Sequence, residues 1–176
     1  MEYKNYPAFA GVTGPQIESI IDLGKRLEFA AGEHIVSAGD VGTHLHLLLS
    51  GSVRVFVANE RGVERELAQA GAPCVIGEME LFNGGAHIAS VEAAETCATL
   101  SLRYDAIRQR LAVDDVGVLK MMFNVASLIS ERLGDMDKKV LDLLHAHLEQ
   151  QPKVVNKLRT SFVSAWLAPK RGERLE

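Results

Sequence analysis

The sequence predicts a mainly β domain of short antiparallel strands, followed by one long helix. Two observations predict this class. Between residues 25 and 103, glycines recur every few positions, and short apolar or alternating segments lie between them. Between residues 113 and 151, glycines become rare and apolar residues recur at helical spacing. Short strands separated by turn residues are typical of a sandwich, roll or barrel, and periodicity leaves these three alternatives open.

Bulk composition narrows the class of protein. The chain has 176 residues, of which 47% are apolar, so it can bury a substantial core. A net charge of −4 without long runs of like charge argues against a protein that coats nucleic acid. Two cysteines are too few for a disulfide framework and predict a reducing compartment. Without a signal peptide or a bilayer-length apolar stretch, we expect a cytoplasmic protein with no transmembrane segment.

The first two segments are a lead-in and the β domain. Residues 1–24 form the lead-in, where Pro15 at a first helical turn and apolar residues at 17, 20 and 21 predict one short helix. The β domain is expected over residues 25–112 and ends in a short helix that begins at Tyr104. The predicted strands are 33–37, 44–50, 52–58, 63–68, 73–76, 87–93 and 96–103.

The third segment, residues 113–151, is predicted to be a long helix whose first residue follows a cap at Asp114 or Asp115. Apolar positions alternate at spacings of three and four for about four heptads, which favours the seam of a two-stranded coiled coil. Packing of this helix on its own domain alone is the alternative. We therefore expect a homodimer joined along the Leu119–His147 part of this helix. The seam residues are Leu119, Met122, Ala126, Ile129, Leu133, Met136, Val140, Leu143 and His147.

The last segment, residues 152–176, is predicted to be a basic amphipathic tail. Val154, Leu158, Phe162 and Trp166 recur four apart with lysines and arginines between them. Such a helix packs on its own domain or on the dimer partner, or it offers a surface to a membrane or an acidic partner. Both interpretations stay open.

The segment most informative about function runs from residue 76 to residue 91. It predicts a strand, a glycine turn at Gly77, one helical turn beginning at Glu78, a Gly84-Gly85 break and a second strand. The first turn of a helix presents unpaired backbone N–H groups and a positive dipole end, which favour an anion. A glutamate there also offers a carboxylate that can accept a hydrogen bond from a sugar hydroxyl.

This segment resembles the phosphate-binding cassette of the cyclic-nucleotide-binding domain family, which includes the catabolite-activator and fumarate-nitrate regulators. The family pattern is Phe-Gly-Glu-Leu-Ala-Leu, a spacer, and then Pro-Arg-Ala-Ala-Ser/Thr-Val. The matching positions are Gly77, Glu78, Leu81, Ala89, Ser90 and Val91. Upstream, Gly39-Asp40 and residues 47–55 resemble the glycine-anchored hairpin of the family. The resemblance covers residues 20 to 150 and implies a double-stranded, jelly-roll-like β-roll followed by a dimerisation helix.

The resemblance also implies a ligand, cyclic AMP or cyclic GMP, and a set of residues that bind it, with no cofactor, no metal and no catalytic role. By this resemblance, Glu78 binds the ribose hydroxyl. Ser90 binds the cyclic phosphate, together with backbone amides near Ala89 and Gly77. Met79 and Ile88 complete the set within the cassette. The family arginine that pairs with the phosphate is replaced by His87, and the base-contacting Thr-Ser pair on the long helix by Met136 and Asp137.

These departures leave a second interpretation open, in which the roll has lost its ligand and serves as a dimeric protein-interaction scaffold. Two chemical alternatives depend on other residues. His44-Leu45-His46 resembles half of a cupin metal motif, although Ser50 stands where that family has a glutamate. A haem sensor would draw an iron ligand from Cys74, His44, His46 or His87. A transcription factor is a further alternative, but residues 152–176 are too few for a helix-turn-helix domain, so we expect no DNA recognition.

Overall fold

The computed structural model describes residue 3 and residues 5–148 of the chain. The predicted basic tail over residues 152–176 lies outside the described residues. The chain divides into two units, Met1–Ile129 and Ser130–Glu176. The first unit contains every described strand and the long helix up to Ile129, so the unit boundary falls within the helix that the sequence predicts for residues 113–151.

The strands and helices follow the predicted order. A short 3₁₀ turn at Pro7–Phe9 precedes them. The four helices are α1 (Gly14–Ile21), α2 (Glu78–Asn83), α3 (Tyr104–Leu111) and α4 (Val116–Leu148). The eight strands are β1 (Gly24–Phe29), β2 (His34–Val36), β3 (His44–Ser50), β4 (Ser52–Ala58), β5 (Glu64–Gly71), β6 (Cys74–Ile76), β7 (Ser90–Ala93) and β8 (Cys97–Arg103).

The strands form two four-stranded antiparallel sheets, which together make a β-roll. The first sheet has the order β1-β8-β3-β6, and the second has the order β2-β7-β4-β5. The polypeptide crosses between the sheets repeatedly, so consecutive strands such as β2 and β3 lie in different sheets. The edge strands are β1 and β6 in one sheet and β2 and β5 in the other.

The central strands β8 and β3 of the first sheet are buried on both faces. On one face, Leu45 and Leu102 pack against a helical layer that includes Ile20 of α1 and Ile107 of α3. The opposite face meets the second sheet in a smaller apolar cluster. That cluster consists of Ile35, Leu48, Val53, Ile76, Val91, Ala93 and Cys97. This arrangement places the roll interior between the two sheets.

Double coverage of this part of the sheet explains why Cys97 is buried. If Leu100 and Leu102 face a core, strict alternation puts Cys97 on an outward face. In the structure Cys97 is 1% exposed, and its thiol donates to the backbone carbonyls of Ser52 and Glu95. Alternation correctly separates the two faces of β8, but both faces are interior here.

Strands β1 and β7 also differ from the prediction. Strand β1 has no counterpart among the predicted strands, because its Lys25-Arg26 start is charged and most of its residues are exposed at a sheet edge. Strand β7 begins at Ser90 rather than at His87. The backbone N–H and carbonyl of His87 pair with the loop at Asp40 and Gly39 instead of with a neighbouring strand.

Within the first unit, α4 begins at an Asp115 cap, whose carboxylate accepts from the Val118 backbone N–H at 3.1 Å. Val118, Met121 and Val125 of α4 are buried in the main core. Of the predicted seam residues, Met122 is also buried in this core and Ile129 packs against it, whereas Leu119 is 44% exposed. The first part of the seam therefore packs partly on its own domain. Among the described residues, no helix has the length and apolarity needed to cross a membrane.

The β3–β4 hairpin provides a test of backbone constraint. Gly51 has φ +86°, and a Cβ there would lie 2.6 Å from the Thr96 carbonyl oxygen. Gly51→Ala is expected to lower the free energy of unfolding by about 2–4 kcal/mol, from left-handed strain plus this clash. The matched control is Gly62→Ala, because Gly62 has φ +73° but nothing within 4 Å. Gly62→Ala should lower the free energy of unfolding by about 1 kcal/mol, measured by urea unfolding. Equal losses of stability in the two variants would contradict the proposed clash at Gly51.

Candidate functional site

The candidate site centres on the turn between β6 and α2. Gly77 caps α2 in the left-handed conformation with φ +80°. A Cβ at this position would lie 2.6 Å from the His44 carbonyl oxygen and 3.1 Å from the Tyr104 hydroxyl. The position therefore requires glycine for both its backbone conformation and its close contact with β3.

Tyr104, the first residue of α3, is hydrogen-bonded to this turn. Its hydroxyl donates a hydrogen bond to the Gly77 carbonyl. Burial raises the pKa of Tyr104, and the carboxylates of Glu80 and Glu78 raise it further. The phenol therefore stays protonated and remains a donor to the turn at any physiological pH.

The segment that returns from α2 to β7 is fastened to the loop between β2 and β3. The His87 N–H donates to the Asp40 carbonyl at 2.9 Å, and the Gly39 N–H donates to the His87 carbonyl at 2.8 Å. The Gly42 N–H donates to the Gly85 carbonyl at 3.1 Å. These backbone bonds fix the position of the His87 side chain relative to the sheets.

A buried pair of ionisable side chains joins α2 to this return segment. The His87 Nδ1 lies 3.1 Å from the Glu80 Oε2, and each side chain is 8% exposed. The sequence analysis did not single out Glu80. The family pattern has alanine at the position of Glu80 and arginine at that of His87. These two departures were the sequence signal that could have identified Glu80. The two departures contact each other in the fold.

The other candidate residues of the cassette are spread over different environments. Glu78 is 8% exposed, whereas Met79 and Ile88 are 46% and 76% exposed. Ala89 is half-buried. The Ser90 hydroxyl accepts a hydrogen bond from the Ala38 N–H at 3.0 Å.

Strand register shows which way Ser90 faces. Ser90 lies opposite Phe56 in the β4–β7 pairing, one residue before Val91. Because Val91 belongs to the apolar cluster between the sheets, alternation places Ser90 on the outer face of β7. The structure thus brings together Gly77, Glu78 and His87, and it engages the Ser90 hydroxyl with a loop amide.

Met136 and Asp137, the candidate base-contacting residues, belong to the second unit. Both side chains are exposed on the helical part of that unit. Leu133, Val140 and Leu143 of the predicted seam are also exposed there.

The histidines of the cupin and haem alternatives lie on the inner face of β3. His44 and His46 have ring centroids 6.0 Å apart. Among the described residues, no group of three or more His, Cys, Asp or Glu side chains is placed to hold a metal ion. Burial, together with the nearby His44 and His87, lowers the pKa of His46 to about 4. At neutral pH the His46 imidazole is therefore uncharged.

A β-roll with a glycine turn and a short helix inserted between two of its strands defines a ligand-sensing class of domain. The family model of the cyclic nucleotide-binding domain matches residues 26–114, and the chain belongs to this family. The cyclic AMP receptor protein of Thermus thermophilus is 33% identical over 144 residues, which are 80% of this chain and 63% of the relative. The chain thus spans less than two thirds of the length of that regulator.

Solved structures agree with the family assignment. The catabolite activator protein of Thermus thermophilus matches with a TM-score of 0.67 and 31% identity, covering 78% of this chain and 62% of that one. A cyclic nucleotide-binding domain from Methylobacillus flagellatus matches with a TM-score of 0.72, covering 80% and 83% of the two chains. At 20% identity the second match supports the fold alone.

The buried His46 generates a prediction about acid stability. Its pKa of about 4 in the folded protein lies below the ordinary value of 6.5, so the unfolded chain binds a proton first as the pH falls. The free energy of unfolding should fall by about 3 kcal/mol between pH 6.5 and pH 4 from this residue alone. Urea unfolding at several pH values measures the slope, and His46→Phe should reduce it. An unchanged slope in the variant would contradict the assignment.

Proposed function

We propose that this chain is a non-catalytic regulatory domain that binds a cyclic nucleotide at the Gly77–Glu78 turn and signals through α4. The carrying observation is the turn itself, in which a left-handed glycine is held by the Tyr104 hydroxyl and followed by a buried glutamate. Membership in the cyclic nucleotide-binding family supports this proposal, as does the similarity to a relative named as a cyclic AMP receptor protein.

In the proposed complex, each part of the ligand meets a defined group. The Glu78 carboxylate accepts a hydrogen bond from the ribose hydroxyl, and backbone amides near Gly77 and Ala89 receive the cyclic phosphate. The Ser90 oxygen accepts from the Ala38 N–H, and its own O–H is left to donate to a phosphate oxygen. The contact with Ala38 therefore orients the hydroxyl and does not exclude it from the phosphate.

In this proposal, the Glu80–His87 pair determines how strongly the cassette binds the cyclic phosphate. An arginine would offer a permanent charge and two donors to the phosphate, whereas His87 already contacts the Glu80 carboxylate. Loss of one charge-assisted hydrogen bond costs about 2–3 kcal/mol, or about 30- to 150-fold in affinity. The buried Glu80 carboxylate also adds negative charge near the bound anion. We therefore propose weaker binding of cyclic AMP than a family member with the arginine would show.

Signalling is proposed to pass through a homodimer of α4. Leu119 and Phe123 of the first unit are 44% and 73% exposed, although large apolar side chains are usually covered. The heptad spacing of the seam residues favours a two-stranded partner rather than solvent. A ligand can shift the arrangement of such a dimer only by binding its two states with different affinity.

A second candidate function follows from the same buried pair. With a carboxylate at Glu80 and its contact to His87, the cassette holds an internal anion next to the position of the family arginine. A domain of this kind can serve as a ligand-free dimeric scaffold whose working part is α4. It would give an intact dimer and no response to any cyclic nucleotide.

Calorimetric titration of the refolded, ligand-stripped protein separates the two candidates. The titrants are cyclic AMP, cyclic GMP and a cyclic dinucleotide. Saturable heat with one of them, lost in Glu78→Gln, supports the sensor. No heat with any of them, from protein with an unchanged thermal unfolding curve, supports the scaffold.

The buried pair provides a prediction in which the single and the double variant differ. His87→Arg alone should gain little affinity for cyclic AMP, because Glu80 captures the guanidinium in a two-point ion pair. Combining His87→Arg with Glu80→Ala restores both family residues and should tighten binding about 30- to 150-fold. Glu80→Ala alone is the matched control for lost negative charge. Equal affinities of the single His87→Arg and the double variant would contradict the role assigned to Glu80.

The dimer proposal is tested at the seam of α4. Leu133→Glu combined with Val140→Glu places charges at two seam positions and should convert the dimer to a monomer at micromolar concentration. Leu141→Glu is the matched control, because Leu141 is 53% exposed but lies one position beyond the seam. Light scattering after gel filtration measures the mass. A monomeric wild-type protein would overturn the proposal.

A further inference from the structure

A cavity lies inside the roll, apart from the cassette turn at Gly77. It has a volume of about 300 Å³, at the small end of the range typical of ligand pockets. Its walls come from β1, β2, β3 and β8 and from the loop between β2 and β3. Of the cassette residues proposed to bind a cyclic nucleotide, only His87 lines this cavity.

The cavity wall is apolar on one side and polar on the other. Leu27, Phe29 and Ile35 provide the apolar side. On the polar side, His46 and Ser101 stand directly opposite each other in the β3–β8 register. They are therefore neighbours on one face of the first sheet, 6% and 4% exposed.

Two polar atoms in this wall lack a partner. The His46 Nδ1 and the Ser101 Oγ have no hydrogen-bond partner among the described residues. Native proteins leave few buried polar atoms unpaired, and each such atom calls for an occupant or a function. By contrast, the Nδ1 atoms of the other two cavity histidines are engaged, in His44 by the Thr43 hydroxyl and in His87 by Glu80.

The charge of the wall limits what the cavity can hold. Burial lowers the pKa of both His44 and His46, so both imidazoles are neutral near pH 7. Among the described residues that line the cavity there is no lysine or arginine, and Asp40 is the one carboxylate. The wall therefore lacks a fixed positive charge for an anion.

The wall also carries aromatic rings, which favour contact with the ring of a planar molecule. The Phe29 ring meets the His46 ring edge-on, with centroids 6.4 Å apart. An imidazole can donate or accept, and a hydroxyl can do both, so two neighbouring groups of this kind match a donor and an acceptor on one edge of a ring. We propose that this cavity binds a small uncharged planar heterocycle with adjacent donor and acceptor groups, the pattern of a free nucleobase.

The experiment follows the imidazole resonances of the 176-residue chain by nuclear magnetic resonance during titration. The probes are uracil, cytosine, adenine and hypoxanthine, at concentrations up to about 10 mM. Benzene is the planar probe without polar groups, and inorganic phosphate is the anionic probe. We expect saturable shifts of the His46 resonances with at least one nucleobase and none with benzene or phosphate.

Two variants of β8 separate binding from stability. Ser101 and Thr99 both carry a buried hydroxyl without a partner among the described residues, but Thr99 does not line the cavity. Ser101→Ala should weaken nucleobase binding about tenfold, whereas Thr99→Val should leave it unchanged. Equal weakening in both variants, or no saturable shift with any nucleobase, would overturn the proposal. The Glu78→Gln variant should retain nucleobase binding, so failure of the cyclic nucleotide proposal leaves this test intact.

Discussion

The left-handed turn at Gly77 is the constraint on which the cassette depends. Its backbone conformation lets α2 begin immediately after β6, and its carbonyl accepts the Tyr104 hydroxyl, which ties the turn to the start of α3. The close approach of the His44 carbonyl oxygen leaves no room for a side chain. Because β3, α2 and α3 all meet at this residue, any shift of the turn reaches both the roll and the helix that precedes α4. In the proposed complex, this connection is the physical route by which a bound ligand would act on α4.

The Glu80–His87 pair is what distinguishes this cassette from the family pattern. A buried carboxylate next to a histidine is stable because each side chain meets the polar requirement of the other. The same contact occupies the Nδ1 atom of His87 and leaves its Nε2 atom for other groups. The two departures from the family pattern thus contact each other in the folded domain. His87 also lines the separate cavity for which nucleobase binding is proposed, so it is common to both proposed sites.

Much of the architecture was predictable from sequence, since alternation and glycine spacing located seven of the eight strands, and the heptad pattern located α4. The sequence did not predict strand β1, because a charged edge strand shows little alternation of apolar and polar residues. Alternation did not predict the burial of Cys97, because it distinguishes faces but not whether both are covered. The Gly77–Glu78 turn was predictable from the motif. The contact between Glu80 and His87 was not, since a Gly-Gly break separates them and only the loop at Asp40 determines where the histidine points.

Hydrogen exchange of individual backbone amides, with and without cyclic AMP, tests the central claim most directly. If the cyclic phosphate is received by the cassette, amides of residues 77–80 and 87–90 should exchange more slowly in the presence of saturating ligand. Slower exchange of the amides along the exposed seam of α4 would extend the effect to the signalling helix. Unchanged exchange over both cassette stretches, in a protein that unfolds cooperatively, would contradict the claim that this turn is the ligand site.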